Sequence, residues 1–411
     1  MTEPALDEVR VAISRRATTA DGAGISAVVT DAVAPGPLGW RTILDLDRRA
    51  RSELLGAGPL QALLDEPAVT DVLVNGPAGV WVDRGGGLRH ERATVGGEPE
   101  VRALATRLAA VCGRRLDDAS PVVDGALPDG TRLHAVLPPV SASGTLISLR
   151  TQRRRAMTRD ELVAGGMLTP AVAEVLAALV VRRANVLVSG AAGTGKTTLL
   201  AAMLSTVPHG ERIVCIEEAV ELRPEHPHVV HLQVRRANVE GAGQVEMAEL
   251  VRAAMRMRPD RLVLGECRGA EVREVLGALN TGHDGGWATV HANTSADVPA
   301  RLVALGSLAG LDEHGVAVQA ASALDAVVHL VRDDDGRRRL AEVAVLGREG
   351  GELHCEPALT VRRDGTVTQG PAWPGLAVRL DSLAELVGPG VPDDQHMRAA
   401  RRRTRRYGRE P

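Results

Sequence analysis

The chain has no phenylalanine, and aromatic residues make up only 1% of its 411 positions. Proteins that grip single-stranded nucleic acid without sequence preference stack bases on rows of aromatic side chains, and this sequence has almost nothing from which to build such a platform. Lysine is nearly as scarce, because the 49 basic side chains are all arginine except Lys196. Position 196 is therefore marked as a place where a compact ammonium is needed and a planar guanidinium does not fit. Cys112, Cys215, Cys267 and Cys355 stand singly, with no CxxC pair. That spacing offers neither a disulfide framework nor a structural zinc site, and it points to a reducing compartment. Apolar runs stop far short of a membrane span, Val175 to Val181 being closed by Glu174 and Arg182. The N-terminus lacks the basic start and apolar stretch of a secretory leader. A net charge of −3 gives no global attraction to nucleic acid or to anionic lipid. A cytoplasmic protein without a transmembrane segment is expected.

What is present describes a globular chain. Hydrophobic residues at 44% with charged residues at 25% allow a sizeable core, and the length suggests about two or three domains. Residues 1–55 read as a helical or flexible segment. Short alternating strands begin at Asp71–Asn75 and Gly79–Asp83, followed by a Gly85–Gly87 turn, a helix over 98–112 and extended pieces at Thr131–Pro138 and Thr145–Arg150. These make 56–150 a small α+β domain, and 151–165 a charged linker. From there strands and helices alternate: helix 171–183, strand Asn185–Ser189, a helix from Gly195, strands Arg212–Glu217 and His228–Val234, helix 246–257, strand Arg261–Gly265, helix 270–280 and strand Trp287–Ala292. Such alternation predicts a mainly parallel α/β sheet with helices on both faces, spanning 166–348. Helices at 296–309 and 313–323 lead to an antiparallel hairpin near 325–332 and 339–346. Residues 349–390 read as further strands or an extension, and 391–411 as a basic tail whose Arg401–Arg406 run is a solvated face or a contact for anionic lipid or an acidic partner.

Three blocks carry chemistry. Gly190, Ala191, Ala192, Gly193, Thr194, Gly195, Lys196 and Thr197, with Thr198 behind them, match G-x-x-x-x-G-K-[ST] between an apolar strand and a helix. Glycines let backbone N–H groups wrap phosphates, the helix N-terminus favours anions, Lys196 reaches the terminal phosphates of ATP and the Thr197 hydroxyl is placed for Mg2+. The strand Arg261–Gly265 ends in Glu266, a Walker B position that would share the metal with Thr197. The strand ending in Glu217 and Glu218 is a second junction of buried strand and acid, suited to orienting or deprotonating water; which of the two is the general base stays open. A fourth stretch, Thr281 to Asn293, sets His283 and His291 on either side of a Gly-rich bend and a short strand, too few ligands for zinc but placed at a doubly wound sheet's ligand edge.

These blocks, in this order, resemble the type II/IV secretion ATPase superfamily, and within it the CpaF-like ATPases that drive assembly of tight-adherence (Tad/Flp) pili. The resemblance covers most of residues 60–345 and rests on the phosphate loop, the acidic box Ile216–Glu221, the Walker B stretch Arg258–Gly269 and the histidine box Asn280–Thr294, with Asp71–Pro77 and Gly113–Pro121 in the first domain. It implies a RecA-like P-loop NTPase domain preceded by the smaller N-terminal α+β domain, PAS-like in kind, and a hexameric ring. It also implies that Arg132 and Arg150 reach the nucleotide phosphates, that Glu266, Glu217 and Glu218 serve hydrolysis, and that His291 senses the γ-phosphate. Two positions depart from the pattern: Ala126 stands where relatives commonly carry Arg, and Glu218 where the box usually has Asp. The implied function is ATP hydrolysis that drives pilin assembly or export, peripheral at the cytoplasmic face of the membrane, against an inner-membrane platform protein. Nucleic acid is not an expected partner. The rival readings are a RecA-like nucleic-acid translocase for conjugal transfer or competence, and a nucleotide-gated scaffold without turnover.

Overall fold

The computed structural model describes residues 56–151, 155–235 and 242–380. The expected segment 1–55, the linker arginines 153 and 154, and the basic tail lie outside the described residues. The chain divides into two compact units between Arg153 and Arg154.

The first unit is one antiparallel sheet of β1 (Asp71–Asn75), β2 (Val80–Asp83), β3 (Leu88–Glu91), β4 (Val122–Ala126), β5 (Arg132–Val136) and β6 (Leu146–Arg150), in the order β3-β2-β1-β6-β5-β4. Alternation fixes its inner face: Val72 and Val74, Val80 and Val82, Leu133 and Ala135, Ile147 and Leu149 are all buried, as period-2 side chains on a half-covered sheet must be. After the short helix α1 (Gln61–Leu64), the longer α2 (Glu98–Val111) supplies Val101, Leu104, Ala105, Leu108 and Ala109 to the same core, a stripe at helical spacing. Glu98 fastens this helix to the sheet, its carboxylate accepting from Thr145 Oγ1 at 2.6 Å and Thr145 N at 2.9 Å. Strand β4 is the element that sequence patterning missed, because Asp124 and Gly125 interrupt its apolar signal.

The second unit opens with α3 (Arg159–Ala164), started by a capping box between Thr158 and Glu161, and α4 (Pro170–Val181). Its sheet then takes β7 (Val186–Ser189), β8 (Ile213–Glu217), β9 (Val229–Gln233), β10 (Arg261–Cys267) and β11 (Trp287–Val290), interleaved with α5 (Lys196–Leu204), α6 (Met247–Ala254) and α7 (Val272–Asn280). Helices α8 (Val298–Leu308) and α9 (Glu313–Ala323) precede β12 (Ala326–Arg332), β13 (Arg338–Glu349), β14 (Glu352–Val361) and β15 (Val367–Gln369), and α10 (Trp373–Leu380) follows. The order is β15-β14-β13-β12-β7-β11-β10-β8-β9, parallel from β12 to β9 and antiparallel from β12 to β15. Strands β7, β8 and β11 are buried at every position, as expected of a sheet covered on both faces. One face packs under α4, α5 and α10, the other under α6 to α9. The hairpin expected from the sequence is β12 with β13, and β14 and β15 continue the same sheet beyond it.

Where the parallel strands begin, Arg261 is only 1% exposed. Its Nε donates to Glu211 Oε2 at 2.6 Å, an oxygen that also accepts from Arg183 Nη1 at 2.9 Å. Gly285 has φ +82°, and a Cβ there would fall 2.2 Å from Arg261 Nη1, so the guanidinium passes only because residue 285 has no side chain. Beside it Asn185 accepts from the N–H groups of Gly285 and Gly286 at 2.9 Å each.

Candidate functional site

Strands β7, β8, β10 and β11 end together, at the edge where open α/β sheets place their ligands. Between β7 and α5 runs the loop Gly190–Gly195. Gly190 (φ +150°) and Gly195 (φ +97°) lie in backbone regions that suit glycine, and a Cβ would stand 2.5 Å from Leu330 O at the first and 2.7 Å from Met167 Cε at the second. The loop is braced by Thr194 Oγ1 donating to Ala191 O at 2.9 Å. Ala191, Ala192 and Gly193 are exposed, Thr197 and Thr198 half-buried. Lys196 is 7% exposed and donates from Nζ to Gly190 O at 2.8 Å and Ala191 O at 2.9 Å. Burial lowers its pKa from the ordinary lysine value, and the Glu266 charge opposes that shift. The first-turn N–H groups of a helix have no intrahelical acceptor, so a narrow glycine cradle, a cation and free donors converge here. That combination fits a nucleotide polyphosphate.

The expected site residues Lys196, His291 and Glu266 come together. Nζ of Lys196 lies 3.5 Å from His291 Nδ1, and His291 Nε2 lies 2.9 Å from Glu266 Oε1. His291 sits just past β11, whose neighbours on either side are β7 and β10. Burial, then the positive charge of Lys196, lowers its pKa from 6.5, so the imidazole is neutral at pH 7. Thr289 Oγ1 donates to Gly265 O at 2.6 Å and ties β11 to the end of β10 that carries Glu266. Thr197 and Glu266 are the residues that would hold Mg2+. Among the described residues no group of three or more His, Cys, Asp or Glu side chains is placed to bind a metal unaided.

The two acidic-box residues differ sharply. Glu217 is 4% exposed, and its Oε1 accepts from Glu221 N and Leu222 N at 2.9 Å each. Its Oε2 lies 3.6 Å from His231 Nδ1 and accepts no hydrogen bond among the described residues. Gly265 leaves room for it, since a Cβ there would lie 2.7 Å from Glu217 Cγ. Glu218 is exposed instead, and its Oε2 accepts from Arg268 Nη1 at 3.1 Å.

Arg268 is the site residue that sequence reasoning missed. Its Nη2 donates to Glu266 Oε2 at 2.7 Å while Nε lies 2.6 Å from Glu266 Oε1, so one guanidinium faces Glu266 and Glu218 together. The signal was available, because residues two apart on an extended chain share a face. The two box histidines are not brought together: His283 precedes β11 and His291 follows it, so the strand separates them. In the first unit, Arg132 and Arg150 stand directly opposite each other across β5 and β6, with Asp71 opposite Arg150 on the other side. No helix of the described residues is long and apolar enough to cross a membrane.

A model of the family described as type II/IV secretion system protein matches residues 53–368. A putative conjugal transfer protein of Mycobacterium tuberculosis is 52% identical over 324 residues, covering 77% of this chain and 92% of that protein. The type IV secretion system protein PtlH homolog of Bordetella bronchiseptica is 34% identical over 273 residues, covering 60% and 80%. Among solved structures, the Legionella pneumophila ATPase DotB superposes with a TM-score of 0.51 at 20% identity over 70% of this chain and 79% of that one. The pilus retraction motor PilT with bound ADP gives 0.51 at 22% identity over 71% and 83%. At those identities the likeness is one of fold, a RecA-like domain preceded by a smaller α+β domain. The family match reaches from the first domain through the β13–β15 strands, and with a half-identical relative beside it the conclusion is direct: this chain belongs to the type II/IV secretion system protein family.

Proposed function

We propose that this chain is a motor ATPase, hydrolysing ATP to drive assembly of a pilus or export of a substrate. The observation that carries the reading is the linked set Lys196, His291 and Glu266 at the mouth of a glycine-lined phosphate loop. Lys196 exchanges its two loop carbonyls for phosphate oxygens, and the N–H groups of Gly190–Thr198 cradle the same phosphates. Thr197 and Glu266 are the residues that would hold a magnesium ion, which would neutralise phosphate charge when bound with the nucleotide. Glu217 takes the proton of the attacking water, Glu218 assisting; the Oε2 of Glu217, buried and accepting no hydrogen bond among the described residues, is the acceptor available once water reaches it. His291, neutral and touching both Lys196 and Glu266, registers the γ-phosphate. The family resemblance adds Arg132 and Arg150, register partners on β5 and β6, as the arginines that would stabilise developing phosphate charge.

In this reading six copies form a ring on the cytoplasmic face of the membrane, and phosphate loss is converted into movement against an inner-membrane platform protein of a Tad/Flp-type or related machine. A second reading, conjugal transfer, is favoured by the likeness to the putative conjugal transfer protein of Mycobacterium tuberculosis; the scarcity of aromatics still speaks against the ring itself gripping nucleic acid. The test is steady-state phosphate release by the purified protein, alone and with DNA, beside Lys196→Ala, Glu266→Ala, Arg132→Ala and Arg150→Ala. Loss in all four, with no stimulation by DNA, is expected. Parental rates in Lys196→Ala or Glu266→Ala would overturn the assignment.

A further inference from the structure

Behind the phosphate loop lies a polar cluster to which the proposed chemistry assigns no role. His329 on β12 is 4% exposed and Ser189, the last residue before Gly190, is fully buried. The two are register partners on adjacent parallel strands, and Ser189 Oγ lies 2.9 Å from His329 Nδ1. On the other side of β12 the register partner of His329 is Glu342, at a point where the β12–β13 register shifts between His329 and Leu330. Glu342 Oε2 accepts from Ser295 Oγ, and the Asn293 backbone is close enough to the His329 ring to favour its protonated form. Asn293 and Ser295 belong to the segment that leaves His291. The carbonyl of the next residue, Leu330, is the atom that a Cβ at Gly190 would strike.

We propose that His329 is a positioning residue for hydrolysis: it ties the strand feeding the phosphate loop to the segment 291–297, and so sets where His291 meets Lys196 and Glu266. A buried polar cluster of this kind is retained at a cost unless every member has a partner, and here the partners come from three strands and the His291 segment. An apolar residue would fill the same space without holding two loops in register. Burial lowers the pKa of His329, while Glu342, the Asn293 backbone and Asp297 oppose the shift and Lys196 adds to it. The ring is therefore neutral at pH 7, and a neutral imidazole carries one accepting and one donating nitrogen, one of which meets Ser189 Oγ.

The inference rests on the hydrolysis reading, and its test separates the two. Hydrogen exchange is measured on the whole chain for segment 291–297, with 247–254 on α6 as control. In His329→Leu exchange of 291–297 is expected to quicken about tenfold while the control holds, and in His329→Gln, which keeps a donor and an acceptor, it stays near the parent. Ser189→Ala gives the same local acceleration, to a smaller extent, and serves should the leucine variant fail to fold. In phosphate release, His329→Leu is expected to lower kcat about tenfold with KM little changed, and to add almost nothing in a His291→Ala background. Unchanged exchange, acceleration everywhere, or full additivity with His291→Ala overturns the proposal. Absence of Lys196-dependent hydrolysis in the parent would instead overturn the proposed function, and the exchange comparison would still decide whether His329 tethers the segment.

Discussion

Where the parallel strands begin, Arg261 is 1% exposed and faces Glu211, which Arg183 also grips; where they finish, Arg268 is 52% exposed at its side chain and faces both Glu266 and Glu218. The same residue types thus make a closed arrangement at one end and an exchangeable one at the other. Burial decides the difference. A guanidinium sealed under Gly285 cannot change partners without leaving a charge in the core, whereas Arg268, half in solvent, can release a carboxylate at little cost.

Breaking the closed end gives the largest effect on stability. Glu211→Ala leaves Arg261 buried without its carboxylate, and about 3–5 kcal/mol of unfolding free energy is expected to be lost, read as the urea midpoint, with nucleotide affinity of the folded fraction unchanged. The open end behaves in the opposite way. Lys196→Ala and Glu266→Gln are expected to lower phosphate release by about 10²–10³-fold and to cost less unfolding free energy than Glu211→Ala, read from the same urea curves. A titration sharpens the contrast further. His329 has a pKa depressed below 6.5, so as pH falls below that value the unfolded chain binds a proton that the native state refuses. The His329 contribution to stability is therefore flat above pH 7 and declines on acidification, by no more than about 1.4 kcal/mol per pH unit, and His329→Gln should remove that part of the slope. The smallest effect belongs to Arg268→Ala, expected to cost about 0–1 kcal/mol in stability. Its measurable consequence is a change in hydrolysis rate as Glu266 and Glu218 lose their shared partner.

Motif spacing placed the phosphate loop, and the strand-terminal positions of Glu217 and Glu266 followed from apolar runs that end in acids. Their surroundings did not follow. Nothing in Glu217-Glu218 tells that the first carboxylate is taken up by the backbone of Glu221 and Leu222 while the second faces solvent, because that depends on the turn after β8. Strand β4 was hidden by Asp124 and Gly125, residues whose strand conformation comes from pairing with β5. The His329 cluster was illegible for a related reason: its members Ser189, His329 and Glu342 are spread over three strands, and only the sheet order makes them neighbours. Local pattern reports what a segment prefers, whereas contacts across the sheet are decided by topology.

The solitary lysine has a practical corollary. Besides its terminal amino group the chain offers amine-directed chemistry a single side-chain address, and that address is the phosphate loop, where Nζ is held by Gly190 O and Ala191 O. An acylating probe therefore counts phosphate loops one by one, and a nucleotide that shields Nζ reveals its own occupancy as missing label.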